Sequence, residues 1–210
     1  MIKGRDMKYE AEVREILIKN TIHLIAEGGF EMATTKNLAH SGGTLPDFKM
    51  NEVYIYRLFG SKENLYEAAF LCLDHELFRF FYSTMCATGC FKNGTRENLY
   101  RFFRKVWDFI LSDEEGCRCY VRYYYSIYFQ GQPLQMHKNL FERIFTEAKP
   151  LFKEEADVYA ILHSTFIMLF DFAIRVYNGD LENNEINLPH IFNVLYCMMM
   201  TYFKTDAEAR

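Results

Sequence analysis

Apolar residues recur at spacings of three and four along nearly the whole chain, which is the period of an amphipathic helix. The first clear example covers about residues 8–27, with Val13 and Leu17 in its apolar stripe. Gly28 and Gly29 end this helix, because glycine readily adopts the left-handed conformation that a helix C-terminus requires. No convincing run of alternating strand residues occurs. The pattern therefore predicts an all-α protein.

The same period and the capping residues predict eight further helices. A second opens at Thr34 or Thr35, a third ends near Phe59, and Ser61 caps a long fourth helix. Beyond a loop at 89–94, five more cover about 96–111, 114–129, 134–152, 156–177 and 189–203. Pro150 bends or ends the third of these five. We therefore expect a three-helix N-terminal head, residues 1–70, joined by the long helix to a larger helical body, residues 71–210.

The head carries the most specific motif. Its parts are the segment 26–35 (Ala-Glu-Gly-Gly-Phe-Glu-Met-Ala-Thr-Thr), Leu38-Ala39, and the segment 54–66 (Tyr-Ile-Tyr-Arg-Leu-Phe-Gly-Ser-Lys-Glu-Asn-Leu-Tyr). In this combination the chain resembles the TetR-like (tetracycline-repressor, AcrR) family of bacterial transcriptional regulators, over about a third of its length. The resemblance implies a helix-turn-helix head that binds DNA, with repression as the family default. It also implies that Phe59, Leu65 and Tyr66 belong to the core of the head.

The chain departs from the family between the second and third helices. Residues 41–50 add about six residues to the short turn of a helix-turn-helix. Either the third helix starts early, with Thr44 as N-cap and Asp47 at N3, or 42–50 loops out and Asn51 is the N-cap. The loop is slightly favoured, because residues 54–59 keep the family offsets to the fourth helix.

Phosphate contacts supply much of the affinity of a DNA-binding protein. The resemblance places Thr35 and Lys36 on the phosphate backbone and matches Tyr56 to the family's phosphate-contacting tyrosine. Lys62 combines a positive charge with a helix N-terminus, which itself suits a phosphate. Two alternatives remain open: Tyr56 is a core residue, and Lys36 is an ordinary solvated lysine.

Base edges in the major groove supply sequence specificity. Asparagine can pair with adenine, and glutamate can accept a hydrogen bond from the amino group of cytosine. A core position is the alternative for Tyr54, and a carboxylate near phosphates is unfavourable unless it meets a base donor. The candidates for reading bases are Asn51, Glu52, Tyr54 and Ile55.

The charge balance argues against a non-specific nucleic-acid binder. The formal net charge is -4, and residues 1–70 hold 9 Lys and Arg against 10 Asp and Glu. Any DNA binding must therefore come from the local placement of positive groups. The alternative is a TetR-like helical protein that has lost specific DNA binding and acts through protein contacts.

The body contains an unusual aromatic helix. Residues 120–129 read Tyr-Val-Arg-Tyr-Tyr-Tyr-Ser-Ile-Tyr-Phe, with polar-tipped rings on every side, whereas a core helix buries tyrosine only where its hydroxyl finds a partner. We therefore predict a cavity for a small-molecule effector; aromatic packing without a natural ligand is the alternative. In this family such a ligand shifts the fourth helix and so the spacing of two heads. The predicted lining is Trp107, Tyr120, Tyr124 and Tyr128, with Arg122 or His163 as polar anchors.

The eighth and ninth predicted helices, about 156–177 and 189–203, are apolar in too many directions for a one-sided surface helix. By resemblance they form a four-helix bundle with a two-fold partner, so we expect a homodimer. Asp171 and Arg175 lie four residues apart on the eighth predicted helix and could pair within that helix or across the four-helix bundle. Two-fold symmetry implies a near-palindromic double-stranded DNA operator.

Several other functions are not indicated. The six histidines are scattered, with neither HExxH nor a Gly-rich phosphate loop, so we expect no enzyme, cofactor or metal site. Six cysteines without a signal peptide are expected to be reduced in a cytoplasmic protein, and Cys117 and Cys119 are not spaced as CxxC. The apolar stretches 161–176 and 191–203 are interrupted by Asp171, Arg175 and Asn193, so no membrane span is expected.

Overall fold

The computed structural model describes residues 2–40 and 51–204, apart from the side chains of residues 2–8 and 93. Within these ranges the regular structure is helical, and an isolated antiparallel bridge joins Phe152 to Phe203. The prediction of an all-α protein is confirmed. The helices are α1 (Ile2–Gly28), α2 (Thr35–His40), α3 (Val53–Phe59), α4 (Lys62–Thr88), α5 (Cys90–Asn93), α6 (Arg96–Leu111), α7 (Glu114–Tyr124), α8 (Gln132–Ala148), α9 (Val158–Tyr177) and α10 (Asn187–Met200).

The chain divides into two compact units, each assembled from two separate stretches. The first unit is Met1–His75 with Glu115–Gln135, and the second is Glu76–Glu114 with Met136–Arg210, in so far as these stretches are described. Residues 115–135 thus group with the N-terminal helices, although the sequence assigned them to the body. The contacts responsible join residues far apart in the sequence, which helical periodicity does not reveal.

The core of the first unit forms where α1 contacts both α2 and α3. Val13, Leu17 and Ile25 of α1 are fully buried, as their spacing along one face requires. Asn20 of α1 is also buried, and its side-chain amide donates to the Leu38 carbonyl of α2 at 2.9 Å. This hydrogen bond satisfies a polar group that would otherwise be costly to bury.

Two tyrosines join α4 and α7 to the rest of the first unit. The buried Tyr66 hydroxyl donates to the Ala33 carbonyl, just before α2, at 2.5 Å. The Tyr120 hydroxyl of α7 donates to the buried Asp74 carboxylate of α4 at 2.9 Å. Burial raises the pKa of Tyr66, so this hydroxyl keeps its proton and remains a donor.

Helix α7 ends at Tyr124, whereas the sequence predicted a helix to about residue 129. Ser126 explains the earlier end. Its hydroxyl donates to the Tyr123 carbonyl at 2.7 Å and accepts from the Tyr128 amide at 3.1 Å. A serine side chain that bonds to the local backbone competes with the helical hydrogen bonds.

Residues 41–50 lie outside the described residues, and with them the proposed Thr44 cap and the proposed loop. The adjoining helix α3 begins at Val53, preceded by non-helical Asn51. The Asn51 side chain accepts from the Val53 amide at 3.0 Å, as a capping residue does. Glu52, the residue directly before α3, makes no side-chain cap hydrogen bond, so Asn51 provides this contact; the choice between the two interpretations of residues 41–50 lies outside the described residues.

The second unit contains α5, α6, α9 and α10, with α4 from Glu76 onward and α8 from Met136 onward. Thr95 and Asp157 cap α6 and α9, accepting from the amides of Asn98 and Ala160 at 3.3 Å and 3.0 Å. Pro150 lies in a 3-10 turn, Lys149–Leu151, that follows α8, as expected of a proline at a helix end.

Helix α9 is 20 residues long and apolar enough, by length and composition alone, to cross a membrane, yet only 22% of its most apolar window is buried. Among the described helices it is the one with this property. A single such helix is weak evidence for a membrane span, because helices of globular proteins share it. Val158, Ile161 and Leu169 are buried, so the remaining apolar surface of α9 lies on its other sides.

The hydrogen bond between Tyr66 and Ala33 leads to a stability prediction. We expect Tyr66→Phe to lower the free energy of unfolding by about 1–3 kcal/mol, because it leaves a buried carbonyl oxygen without its donor. Urea unfolding at fixed protein concentration measures this loss. Tyr202→Phe, at a tyrosine that is 43% exposed, is the matched control and should change little. Equal stabilities of the two variants would contradict the prediction.

Candidate nucleic-acid interface and apolar cavity

Helices α2 and α3 carry most of the side chains for which the resemblance implies DNA contact. The Thr34 hydroxyl caps α2 by accepting from the Asn37 amide at 3.2 Å, which selects Thr34 from the two predicted caps. Lys36 in the first turn is exposed. In α3, Phe59 is buried against the core while the Tyr56 side chain is 55% exposed. Tyr56 is thus available at the surface rather than part of the core.

The turn from α3 to α4 has the geometry that the sequence predicted. Gly60 has a φ of 81°, in the left-handed region that favours glycine. The Ser61 hydroxyl then accepts from the Asn64 amide at 3.0 Å and caps α4. Lys62 is the first residue of α4, and its ammonium lies 5.5 Å from the centroid of the Tyr66 ring. This contact with a buried ring holds a positive charge beside the N-terminus of a long helix.

Glu52 contacts Thr35, and both were predicted to bind DNA. The Thr35 hydroxyl donates to the Glu52 carboxylate at 2.6 Å, across 17 residues of sequence. The carboxylate therefore lies at the start of α2, where the resemblance places a phosphate. A negative charge at that point repels a phosphate, so Glu52 must move or lose its charge before Thr35 can bind one.

Helix α3 carries one positive residue, Arg57, which the sequence did not assign to DNA contact. Its guanidinium lies 3.1 Å from the Glu10 carboxylate and 4.5 Å from the centroid of the Tyr54 ring. Tyr54 is half-buried beneath it. Arg57 is thus held by α1 and by its own helix, and Glu10 offsets its charge.

The predicted role of Ile55 is wrong. It was a candidate for reading bases, but its side chain is fully buried in the core of the first unit. A buried side chain cannot reach a base edge in the major groove. Its neighbours Asn51 and Glu52 are exposed and Tyr54 is half-buried, so the exposed candidates precede the first turn of α3.

The second unit contains an apolar cavity of about 110 Å³. Fifteen of its eighteen lining side chains are apolar, and eight of those are phenylalanines. The polar lining residues are His137, His163 and Thr165. The apolar lining is Phe81, Phe91, Leu99, Phe102, Phe103, Val106, Phe141, Ile144, Phe145, Leu162, Phe166, Leu169, Phe192, Leu195 and Met199.

Of the six side chains predicted to surround a ligand, His163 lines this cavity. Trp107 belongs to the same unit but is fully buried, and its indole N–H donates to the Asn183 side chain at 3.0 Å. It therefore has a structural role in the core beside the cavity, as part of α6. This satisfied N–H is what a buried tryptophan normally requires.

The other four belong to the first unit and have partners there. Tyr120 binds Asp74, as described above, and the Arg122 guanidinium donates to the Ile25 carbonyl at 2.5 Å. The Tyr128 ring lies 4.8 Å from Phe30, and the Tyr124 ring lies 4.4 Å from Phe129. These contacts pack the rings of residues 120–129 within the first unit, and the lining of the cavity in the second unit does not include them.

His137 and the phenylalanines of the cavity were not predicted from the sequence. On α8, His137 precedes Phe141, Ile144 and Phe145 at spacings of four, seven and eight, so one histidine shares an apolar helical stripe. That spacing was the available signal. Among the described residues, no group of three or more His, Cys, Asp or Glu side chains is placed to hold a metal ion.

No family model and no curated protein matches this sequence. Solved structures do match. A TetR-family transcription regulator from Marinobacter aquaeolei VT8 is 15% identical, with a TM-score of 0.72, over 95% of this chain and 100% of that one. A structure from Shewanella sp. PV-4 assigned to the same family is 11% identical, with a TM-score of 0.71, over 92% and 99%.

A third match has a different description. The superantigen PfiT is 16% identical, with a TM-score of 0.56, over 92% of this chain and 97% of that one. At such low identity the likeness concerns the fold, and the same fold carries proteins of different function. The chain therefore has the TetR-like fold: an all-α protein in which two short helices precede a long fourth helix, followed by a larger set of helices.

Proposed function

We propose that this protein is a dimeric, ligand-responsive transcriptional regulator that binds a near-palindromic DNA operator through α2 and α3. The observation that carries the proposal is the arrangement of these helices in the first unit. Ile55 and Phe59 bury one side of α3, while Asn51, Glu52 and Tyr56 remain exposed. A short helix anchored by one face and exposed on the other suits insertion into a major groove.

Two lysines near helix N-termini support phosphate binding. Lys36 is exposed in the first turn of α2, and Lys62 opens α4. Tyr56 presents a hydroxyl that can donate to a phosphate oxygen. We assign phosphate contact to these three residues and to Thr35, and base contact to Asn51 and Tyr54, with Glu52 as a conditional contact.

The surface of α9 supports the dimer. Much of this apolar helix is unburied in the single chain, and on α10 the Val194 side chain is 47% exposed. A helix apolar on all sides is stable in water only when another surface covers it. A second copy meeting α9 and α10 through a two-fold axis would cover both helices, and it would place two heads on one operator.

The cavity of the second unit supports ligand response. A concave apolar site with a few polar groups is the usual form of a small-molecule site. To regulate, the ligand must bind one arrangement of the protein more tightly than another. We propose no catalytic activity for this cavity, and we place the protein in the cytoplasm with its DNA.

A second candidate function is regulation or recognition through protein contacts alone. The deficit of positive charge in residues 1–70 favours it, and so does the hydrogen bond that holds the Glu52 carboxylate at α2. The match to a superantigen is of a protein with the same fold and another role. The two candidates differ in whether the protein selects a DNA sequence.

Selection from a random DNA pool at two salt concentrations tests the proposed function. We expect enrichment of a near-palindromic site whose affinity falls as salt rises, because bound phosphates release counterions. The protein is used as the intact chain, with and without extracts of small molecules. If no sequence is enriched under any of these conditions, the result favours the protein-contact function.

The position of Lys62 predicts its contribution to DNA affinity. We expect Lys62→Ala to weaken binding to all sequences and to reduce the slope of log affinity against log salt by about one unit, as the loss of one phosphate contact requires. Lys105→Ala removes the same charge from an exposed position on α6 and is the control. A slope unchanged by Lys62→Ala would refute the assignment.

The contact between Glu52 and Thr35 predicts a gain of affinity. We expect Glu52→Gln to raise the affinity for every DNA sequence by about threefold to tenfold, because it removes a negative charge beside a proposed phosphate site. Fluorescence anisotropy with operator and unrelated DNA measures this change. Glu154→Gln, at an exposed glutamate of the second unit, controls for net charge.

A different result for Glu52→Gln would assign the carboxylate another role. A loss of preference at one base pair, without a general gain in affinity, would show that the carboxylate reads a cytosine amino group. It would contradict the prediction above and would assign Glu52 a base contact.

The exposed surface of α10 predicts the effect of a charge at the dimer face. We expect light scattering of the wild type at micromolar concentration to give twice the 25.0-kDa mass of the chain. Val194→Glu should raise the dissociation constant at least about tenfold, because a buried charge without a partner is costly. Ile127→Glu, at a residue that is 77% exposed in the first unit, is the matched control. A monomeric wild type would refute the dimer.

A further inference from the structure

The walls of the cavity differ in polarity from one element to another. Helices α4, α5, α6 and α10 contribute only apolar side chains to the lining. The polar lining residues come from α8, with His137, and from α9, with His163 and Thr165. The Thr165 hydroxyl donates to the Ile161 carbonyl of its own helix at 2.8 Å. The two imidazoles, each with two ring nitrogens, are the other polar groups of the lining and the ones best suited to bind a charged ligand group.

The His163 ring is held in a defined orientation. It stacks on the Tyr159 ring with the centroids 5.5 Å apart and an angle of 5° between the planes. On α8, the Lys138 ammonium lies 5.8 Å from the centroid of the same tyrosine. An imidazole fixed in this way is preorganised for a ligand, since little rotational freedom is lost on binding.

The electrostatic surroundings of His163 are positive. Burial lowers the pKa of His163, and the charges of His137 and Lys138 lower it further. Asp157, the nearest acidic residue on α9, caps its helix by accepting from the Ala160 amide. His137 is 3% exposed, and its ring lies against that of Phe141, with the centroids 4.7 Å apart and the planes tilted by 37°. An anion entering this region would thus meet groups that favour it.

We propose that the effector of this cavity is a compact monocarboxylic acid whose apolar body lies among the phenylalanines and whose carboxylate binds His137 and His163. The identification of this molecule as the effector rests on the proposed regulatory function; its binding does not. An apolar body accounts for the aromatic walls, and one acidic group accounts for the paired histidines in a positive environment.

The volume of the cavity limits the size of the body. At about 110 Å³ it is comparable to an engineered cavity of about 150 Å³ that binds benzene. One ring, or a chain on the order of six to eight carbons, is therefore the expected size. Longer acids would have to displace phenylalanine side chains.

Binding is coupled to protonation. In the free protein, the lowered pKa of His163 leaves its ring mostly neutral at neutral pH. A bound carboxylate favours the charged imidazolium and raises that pKa, so the complex takes up a proton. The affinity is therefore highest at low pH. It falls by up to tenfold per pH unit as pH rises from the lowered pKa of His163 in the free protein to its higher pKa in the complex.

Titration calorimetry of the intact protein tests the proposal with matched pairs of ligands. The acids are benzoate, hexanoate, octanoate and dodecanoate, and each is paired with the primary alcohol of the same carbon skeleton, from pH 6.0 to 8.5. We expect benzoate, hexanoate and octanoate to bind at least about tenfold more tightly than their alcohols at pH 6.0, and dodecanoate to bind more weakly than octanoate. The preference for acid over alcohol should shrink as pH rises.

Proton uptake identifies the histidine. The binding enthalpy of the acids, measured in buffers of different ionisation enthalpy, should show uptake of up to one proton near neutral pH. His163→Gln and His137→Gln should each reduce the preference for the acid over its alcohol about tenfold while the alcohol still binds. His190→Gln, at an exposed histidine of α10, is the matched control. Binding of the alcohols also reports that each variant keeps its cavity.

Two results would overturn the proposal. One is equal or tighter binding of the alcohols by the wild-type protein, and the other is no binding of any acid in the series. DNA selection on the same preparation separates this test from that of the proposed function. A protein that selects DNA but prefers alcohols refutes the carboxylate alone. A protein that prefers acids but selects no DNA keeps the binding site and loses the regulatory role.

Discussion

Helices of six and seven residues are too short to be stable in water by themselves, and the first unit depends on how α2 and α3 are held. Their stability comes from burial against α1 and from polar contacts that satisfy their ends. Tyr66 is central, because one side chain packs in the core and also binds the carbonyl of Ala33 before α2. Because Ile55 and Phe59 fix the buried face of α3 in this core, they also fix which side of the helix is exposed.

The two candidate sites use charge in opposite ways. In the first unit, acidic residues counter the positive groups: Glu10 contacts Arg57, and Glu52 contacts Thr35. In the second unit, burial and then the positive charges of His137 and Lys138 lower the pKa of His163 beside an apolar cavity. Phosphate binding would therefore require a local rearrangement of carboxylates, whereas the carboxylate ligand proposed for the cavity would itself bring the negative charge beside His163.

Local patterns predicted the helices well, since periodicity, Thr34, Ser61 and Pro150 each act within a few residues of where they lie. What depends on distant contacts was not predictable. Ile55 was taken as exposed because the pattern does not show which face of α3 meets α1. Tyr120 was assigned to a cavity because its partner, Asp74, is 46 residues away. The cavity itself combines six helices, and no single stretch carries its signature.

The first unit is completed by residues 115–135, which are made long after residues 1–75. During synthesis, the N-terminal helices therefore leave the ribosome before the segment that supplies Tyr120 and Arg122 exists. Asp74 and the Ile25 carbonyl lack these two donors throughout that interval. Because chains lengthen at about 5–20 residues per second, the interval lasts on the order of seconds, which is long compared with helix formation. The first unit thus reaches its final form only when more than half of the chain has been translated, and a nascent fragment of residues 1–75 lacks the segment that completes it.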